Sequence, residues 1–436
     1  MRSTPLAFVV AALALALGWL ALATPVAAHT LPTGADPPDR CTGRFPASDP
    51  HCTAGALLAT PPTAVRLTFT DPVEPIGGGI TVVAPSGARV DRGPARVAGA
   101  DLIVDIAADE RGTYRVAWRV TSADTHAEAG AYTFSVGEPS VAAPLVTTTI
   151  GAWPGLALQT AARWVHFGGL SLAFGPLAFS LCLPAPPGPA TSRRLGRLLG
   201  AGLGALLLAE PLALLAQTVT LSAGGPLGIA AAADALASSF GRVSGQRAGL
   251  ALLLWVIGGV PGGAFGRVRP VALAVGVVLA LVDGQASHAL DRDPAPLGIV
   301  LNALHLGAMA VWVGGLIALV ALWPLPENVP ARGLLLRRFG RVAGGALALL
   351  VVSGVALAVQ HLPALRDLAT TNYGRVLLLK TVAVADVVLL AASAARLARR
   401  AAPAATRLPR WWRGELLLLA GILALAGLLV SLAPPG

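Results

Sequence analysis

Charge is scarce in this sequence. Only 12% of its 436 residues are Asp, Glu, Lys or Arg, about half the share usual in a soluble protein, while hydrophobic residues make up 55%. A mainly soluble chain is excluded, and most of the residues belong in lipid. Lysine occurs once, as Lys380 between Leu379 and Thr381 in an apolar run, which excludes the Gly-Lys-Ser/Thr phosphate loop and ATP hydrolysis by that route. Methionine occurs twice, as Met1 and Met309, leaving Met309 alone once a leader is removed. The net charge of +10 comes from arginines set between apolar segments rather than on one soluble face. That is the distribution of cytoplasmic loops, and it argues against nucleic acid as a partner.

The first residues read as a secretory signal peptide, 1–28: Arg2, an apolar run from Leu6 to Ala23, Pro25 and the small residues Val26-Ala27-Ala28. Cleavage after Ala28 makes His29 the mature N-terminus; the alternative is an uncleaved anchor helix. Either way the next hundred or so residues face an oxidising compartment. Cys41 and Cys52 lie in that exported segment, where a disulfide fits better than a thiolate metal site. Cys182, near the end of an apolar run, reads as a small buried residue.

From about 63 to 137 the pattern has period two. Val65, Leu67 and Phe69 alternate with Arg66, Thr68 and Thr70, and Tyr114, Val116, Trp118 and Val120 do the same, as do Tyr132, Phe134 and Val136. Pro85-Ser86-Gly87 and Glu110-Arg111-Gly112 mark turns. The expected fold for 29–137 is an exported all-β, Ig-like sandwich, followed by a linker at 138–152.

An all-α polytopic membrane domain is expected over 153–436. Eight apolar segments occur, about 154–182, 198–220, 247–263, 269–288, 297–323, 340–361, 375–396 and 413–433, each near the roughly 20 residues a helix needs to cross a bilayer. With the sandwich outside, the loops assigned inside hold Arg193, Arg194, Arg197, Arg267, Arg269, Arg332, Arg337, Arg338, Arg341, Arg396, Arg399, Arg400, Arg407, Arg410 and Arg413. The outer loops and helix ends hold only Arg242, Arg247, Arg292, Arg366 and Arg375. This bias has the sign that the positive-inside rule demands, so eight spans with both ends outside are expected.

That topology places no histidine on the cytoplasmic side. His29, His51 and His126 are exported, His166 lies near the middle of the first span, His305 in the outer half of the fifth, and His288 and His361 at the outer ends of the fourth and sixth. Asp124 and His126 follow the alternating strand as a carboxylate and an imidazole two residues apart, a pair able to grip a metal ion, and copper is the metal expected. His305 and Met309 are one helical turn apart on one face, and imidazole with thioether suits Cu(I). Glu210, Asp283, Lys380 and Asp386 are further polar groups in apolar segments; each is either an ion-pathway group or a structural interhelical partner.

Together these residues resemble two known families. Tyr114 to Val136 (YRVAWRVTSADTHAEAGAYTFSV) is similar to the C-terminal motif of CopC copper-binding proteins, and Ser48-Asp49-Pro50 with Pro62 to Glu74 resembles their first strand. Ala162-Arg163-Trp164-Val165-His166, His305 with Trp312-Val313-Gly314-Gly315-Leu316, and Tyr373 to Lys380 resemble the CopD family. The chain looks like a fusion of the two. The resemblance implies a Cu(II) site formed by the amine and imidazole of His29 with Asp124 and His126, a nitrogen-rich set suited to tetragonal Cu(II). His29 stands further upstream than the family spacing, so either the insert containing Cys41 loops out, clipped to Cys52, or His51 takes its place. Ser287 precedes His288 where the family usually has glycine.

The fusion implies a multi-pass plasma-membrane protein, not an enzyme, that captures copper outside and passes it inward for uptake or copper resistance. The path would run from Asp124 and His126 to His288 and His361, then past His305, Met309 and His166. Partners implied are copper ions, the bilayer, and extracytoplasmic copper chaperones or a reductase. Two alternatives stand beside it: a membrane redox protein with b-type haem between His166 and His305, and extracytoplasmic copper sequestration without transport.

Overall fold

The computed structural model describes residues 32–37, 56–69, 72–121, 127–140, 153–183, 187–222, 229–258, 265–285, 295–362, 364–400 and 410–432. The alternating segments form two facing sheets. One contains β1 (Pro32–Asp36), β3 (Ala64–Phe69), β6 (Asp101–Asp105) and β5 (Arg96–Ala98), in the order β1-β3-β6-β5; the other contains β2 (Ala56–Leu58), β8 (Ala127–Val136), β7 (Gly112–Thr121) and β4 (Glu74–Val83), in the order β2-β8-β7-β4. The inward set is the one that the alternation marks. Val65, Leu67 and Phe69 of β3 pack with Tyr114, Val116, Trp118 and Val120 of β7 and with Tyr132, Phe134 and Val136 of β8 in one core. This is a β-sandwich, held by the burial of alternate residues from both sheets.

Two local devices fix β7, the strand that leads to Asp124 and His126. Trp118 pairs across the ladder with Gly130, where any side chain would meet the indole ring. The Tyr114 ring stacks on Phe134 with centroids 5.1 Å apart, while its hydroxyl donates to the Glu110 carbonyl at 2.9 Å and accepts from the Glu110 N–H at 2.7 Å. Burial pushes the phenol above its ordinary pKa. Tyr114→Phe keeps the stack and loses both hydrogen bonds, so it should destabilise the sandwich by about 1–2 kcal/mol, read as a lower thermal midpoint of that domain in the full-length protein. The chain leaving β8 is tied back as well: Ser140 accepts from the Thr113 N–H at 2.9 Å and its carbonyl accepts from Thr113 Oγ1 at 2.7 Å.

The remainder is helical: α1 (Trp153–Phe179), α2 (Pro189–Ser222), α3 (Ile229–Ala237), α4 (Ser239–Gly258), α5 (Phe265–Gln285), α6 (Ala295–Met309), α7 (Gly315–Leu322), α8 (Arg332–His361), α9 (Asp367–Thr370), α10 (Asn372–Arg400) and α11 (Arg410–Val430). A π-helical turn, Ala310–Gly314, joins α6 to α7, so among the described residues eight long helical segments fall on the eight apolar segments of the sequence. Four of them, within Pro154–Cys182, Pro189–Thr220, Pro296–Leu322 and Pro326–His361, are long and apolar enough to cross a membrane by length and composition. Val352 and Val359 on α8 are 66% and 74% exposed, an apolar face suited to lipid rather than water.

Helix ends differ from the apolar runs. Helix α2 begins at Pro189 rather than near 198, α4 at Ser239 rather than 247 and α8 at Arg332 rather than 340. Hydropathy marks where lipid contact ends, whereas the hydrogen-bond ladder continues through arginines, which are good helix formers. Those arginines also close helix C-termini. Arg194 donates to the Ala321 carbonyl at 2.7 Å, Arg332 to that of Trp323 at 2.6 Å, and Arg338 to that of Leu183 at 3.2 Å. Carbonyls orphaned at the ends of helices are thereby satisfied by cations.

The helix α1 packs against α2, α5, α7, α11 and the π turn. Its approach to the π turn needs glycine on both sides: a Cβ at Gly175 would fall on the Gly314 backbone, and one at Gly314 on the Ser171 carbonyl. Small residues permit such contact between helices in lipid. Cys182 is buried with a free thiol.

Candidate functional site

A cavity of about 150 Å3 opens among the helices, lined by residues of α1, α2, α4, α5, α6, α8, α10 and α11. It gathers His166, Glu210, Asp283, His305, Met309 and Lys380, which the sequence marks out, together with Arg247, Asn302 and Gln217, which it does not. Arg247 reads in the sequence as one more arginine at an outer helix end; its side chain instead turns inward from α4 to the cavity. Its signal was an ionisable residue leading into the apolar run Ala248 to Ile257.

One wall is ionic. His166 Nε2 donates to Asp283 Oδ2 at 3.0 Å, and its Nδ1 stands 3.7 Å from Glu210 Oε1. Arg247 Nε lies 2.6 Å from Asp283 Oδ1, and Ser244 Oγ donates to Glu210 Oε2 at 2.5 Å. Four helices, α1, α2, α4 and α5, are thus cross-linked through buried groups, which low dielectric makes costly to leave unpaired. Pro211 lies inside α2 without ending it.

The other wall is soft. His305 Nδ1 is 3.1 Å from Ser353 Oγ, whose hydroxyl donates to the Leu349 carbonyl at 2.6 Å. With the serine hydrogen committed, the hydroxyl accepts from His305 Nδ1–H, and the lone pair resides on Nε2. A histidine whose second nitrogen is fixed in this way is prepared to bind a metal. Met309 follows one turn later, buried at 7% exposure and immediately before the π turn, a distortion that often marks functional positions.

The remaining expectations divide. His361 ends α8, buried; its Nδ1 donates to the Leu357 carbonyl at 2.6 Å and its ring lies 6.4 Å from that of Tyr373. It is not part of the cavity wall. Lys380 lines the cavity, but Asp386 is exposed on the same helix and stands away from it, so Asp386 is not the buried polar group expected. The reason is the helical offset, since six residues place the two side chains on different faces. His29, Cys41, His51, Cys52, Asp124, His126 and His288 lie outside the described residues. The β7–β8 ladder reaches Thr121↔Ala127, the pair that brackets Asp124 and His126. Among the described residues, no three His, Cys, Asp or Glu side chains converge as a metal site.

Comparison with known proteins bears on both parts. Residues 47–137 match the CopC domain, 154–299 the N-terminal domain of copper resistance protein D-like proteins, and 333–429 copper resistance protein D. The chain is 28% identical over 344 residues to copper transport protein CutJ of Bacillus subtilis, covering 74% of this chain and 62% of that protein. It thus spans less than two thirds of that relative's length. Over 99 residues it is 35% identical to protein YobA of Escherichia coli, 22% of this chain and 75% of that one. Among solved structures, CopC from Methylosinus trichosporium OB3b aligns with 27% identity over 26% of this chain and 95% of that chain, with a TM-score of 0.20.

Proposed function

The chain belongs to the CopC/CopD fusions, copper-handling membrane proteins, and from that premise we propose that it captures copper outside the cell and passes it inward across the membrane. The sandwich faces outside, and the eight long helices span the bilayer with both ends outside, as the arginine asymmetry requires. Cu(II) is taken by Asp124 and His126, with His29 or His51 completing a nitrogen-rich set. His288 and His361 receive it at the outer surface. His305 and Met309 then hold it in the cavity, and His166 lies further along the wall. Thioether ligation favours Cu(I), so one electron is supplied by a partner reductase before that step. Inward movement of a cation is favoured by about 2.3 kcal/mol per charge per 100 mV of inside-negative potential.

The observation that carries this reading is the His305–Ser353–Leu349 hydrogen-bond chain, which leaves Nε2 as the free donor in a cavity shared with Met309. His305→Ala should reduce copper accumulation in cells to the level of cells lacking the protein, and Met309→Leu should reduce it severalfold. Unchanged accumulation in His305→Ala sinks the route. The haem alternative is less well supported: His166 Nε2 is engaged by Asp283 at 3.0 Å, and about 150 Å3 lies below the roughly 300–1,000 Å3 of sites that enclose drug-sized ligands.

A further inference from the structure

Among the described residues, one contact between the sandwich and the helical domain is made by a carboxylate. Glu74, the first residue of β4, accepts from the Ser239 backbone N–H at 3.2 Å and stands 3.7 Å from Arg242 Nη1. Ser239 is the first residue of α4, where the backbone N–H groups point out of the helix at the positive end of its dipole. Thr121 and Glu74 are paired across the β4–β7 ladder. Both line a cleft whose far side is Ala237 and Ser238, at the junction of α3 and α4. The strand end that leads to Asp124 and His126 therefore meets the outer end of α4.

From Ser239 the same helix descends to Ser244 and Arg247, which hold Glu210 and Asp283 on the cavity wall. Eight residues of helix correspond to about 12 Å. The contact thus sets the end of β7, at Thr121, one short helical segment above the cavity.

We propose that Glu74 is a docking clasp: its carboxylate on the N-terminus of α4 holds the sandwich over the bundle so that copper is handed from one domain to the other within a single chain. This rests on the transport reading above and names the contact on which delivery depends. Glu74 and Arg242 are both substantially exposed, at 46% and 65% of their side chains, and exposed ion pairs are individually weak. Weakness suits the role. The covalent linker already supplies a high effective concentration, so a small bias decides between docked and undocked, and the sandwich remains free to leave and collect copper.

The test uses the full-length protein with Glu74→Ala, Glu74→Gln and Arg242→Ala. Three readouts apply: Cu(II) EPR of the purified protein, hydrogen exchange of the α4 N-terminal amides, and copper accumulation in cells. Glu74→Ala should leave the Cu(II) signal unchanged, speed exchange at Ser239 and its neighbours, and lower accumulation about fivefold, the factor equivalent to about 1 kcal/mol. Glu74→Gln, which keeps an acceptor but no charge, should fall between Glu74→Ala and wild type, as should Arg242→Ala, which keeps the bond to Ser239. Unchanged exchange, or faster exchange with undiminished accumulation, overturns the clasp. A wild-type protein that adds nothing to copper accumulation overturns the transport reading itself, and the exchange readout still reports separately whether Glu74 docks the domains.

Discussion

Asp283→Ala should destabilise the helical domain by about 3–5 kcal/mol, the effect of breaking a buried ion pair by removing one partner. Asp283 is 4% exposed; its Oδ2 accepts from His166 Nε2 at 3.0 Å and its Oδ1 is ion-paired with Arg247, 2.6 Å from Nε. Alanine leaves the Arg247 guanidinium and the His166 Nε2–H without the carboxylate that faces them, in a low-dielectric setting where an unpaired charge is costly. Removing both charges is different. Asp283→Ala combined with Arg247→Ala leaves no orphaned cation, so the double variant should recover a large part of the single loss, a coupling of about 0.5–3 kcal/mol. Asp283→Asn should lie near wild type for the His166 bond and lose the attraction to Arg247. Thermal unfolding of the purified protein in detergent, followed by helical circular dichroism, reads all three. Strictly additive losses in the double variant would mean that the two residues do not act as a pair.

The sequence exposes those features that depend on one element at a time. Alternation at Val65, Leu67 and Phe69 identifies the buried side of β3 because a strand's side chains point to opposite faces whatever it packs against. Apolar run length locates the long helices for the same reason. The cavity is another matter. His166 is visible as an isolated histidine, but its partner lies 117 residues away and the guanidinium that shares that partner is on a third helix. Only tertiary packing decides such meetings. Likewise, Gly175 and Gly314 are two glycines among 50 until the closeness of α1 to the π turn makes them necessary. Asp386 shows the converse error, a charge in an apolar run that faces outward. Arginines that mark topology in the sequence prove also to close helix C-termini, since one charge serves both purposes.

Asp124→Ala with His126→Ala should abolish the tetragonal, nitrogen-coupled Cu(II) signal of the full-length protein. These residues are bracketed by Thr121 and Ala127, the last pair of a ladder that runs without a break from Gly112↔Val136, and β7 is fixed along it by Tyr114 and Trp118 on the core side. A thermal midpoint of the domain equal to wild type in the double variant would show that a lost signal is a loss of ligands and not of fold. Altering residues that merely orient ligands typically weakens metal binding about 10–100-fold, so removing the carboxylate and the imidazole proposed as ligands should exceed that range. The measurement is EPR with one equivalent of Cu(II): a tetragonal signal with nitrogen coupling in the wild type, and only weak or free copper in the double variant. His29→Ala and His51→Ala, taken separately, then identify which imidazole completes the set, because only one of them should lose a coupled nitrogen. A tetragonal signal that persists in the Asp124/His126 variant would place the copper on the N-terminal histidines alone, and delivery through the end of β7 would lose its starting point.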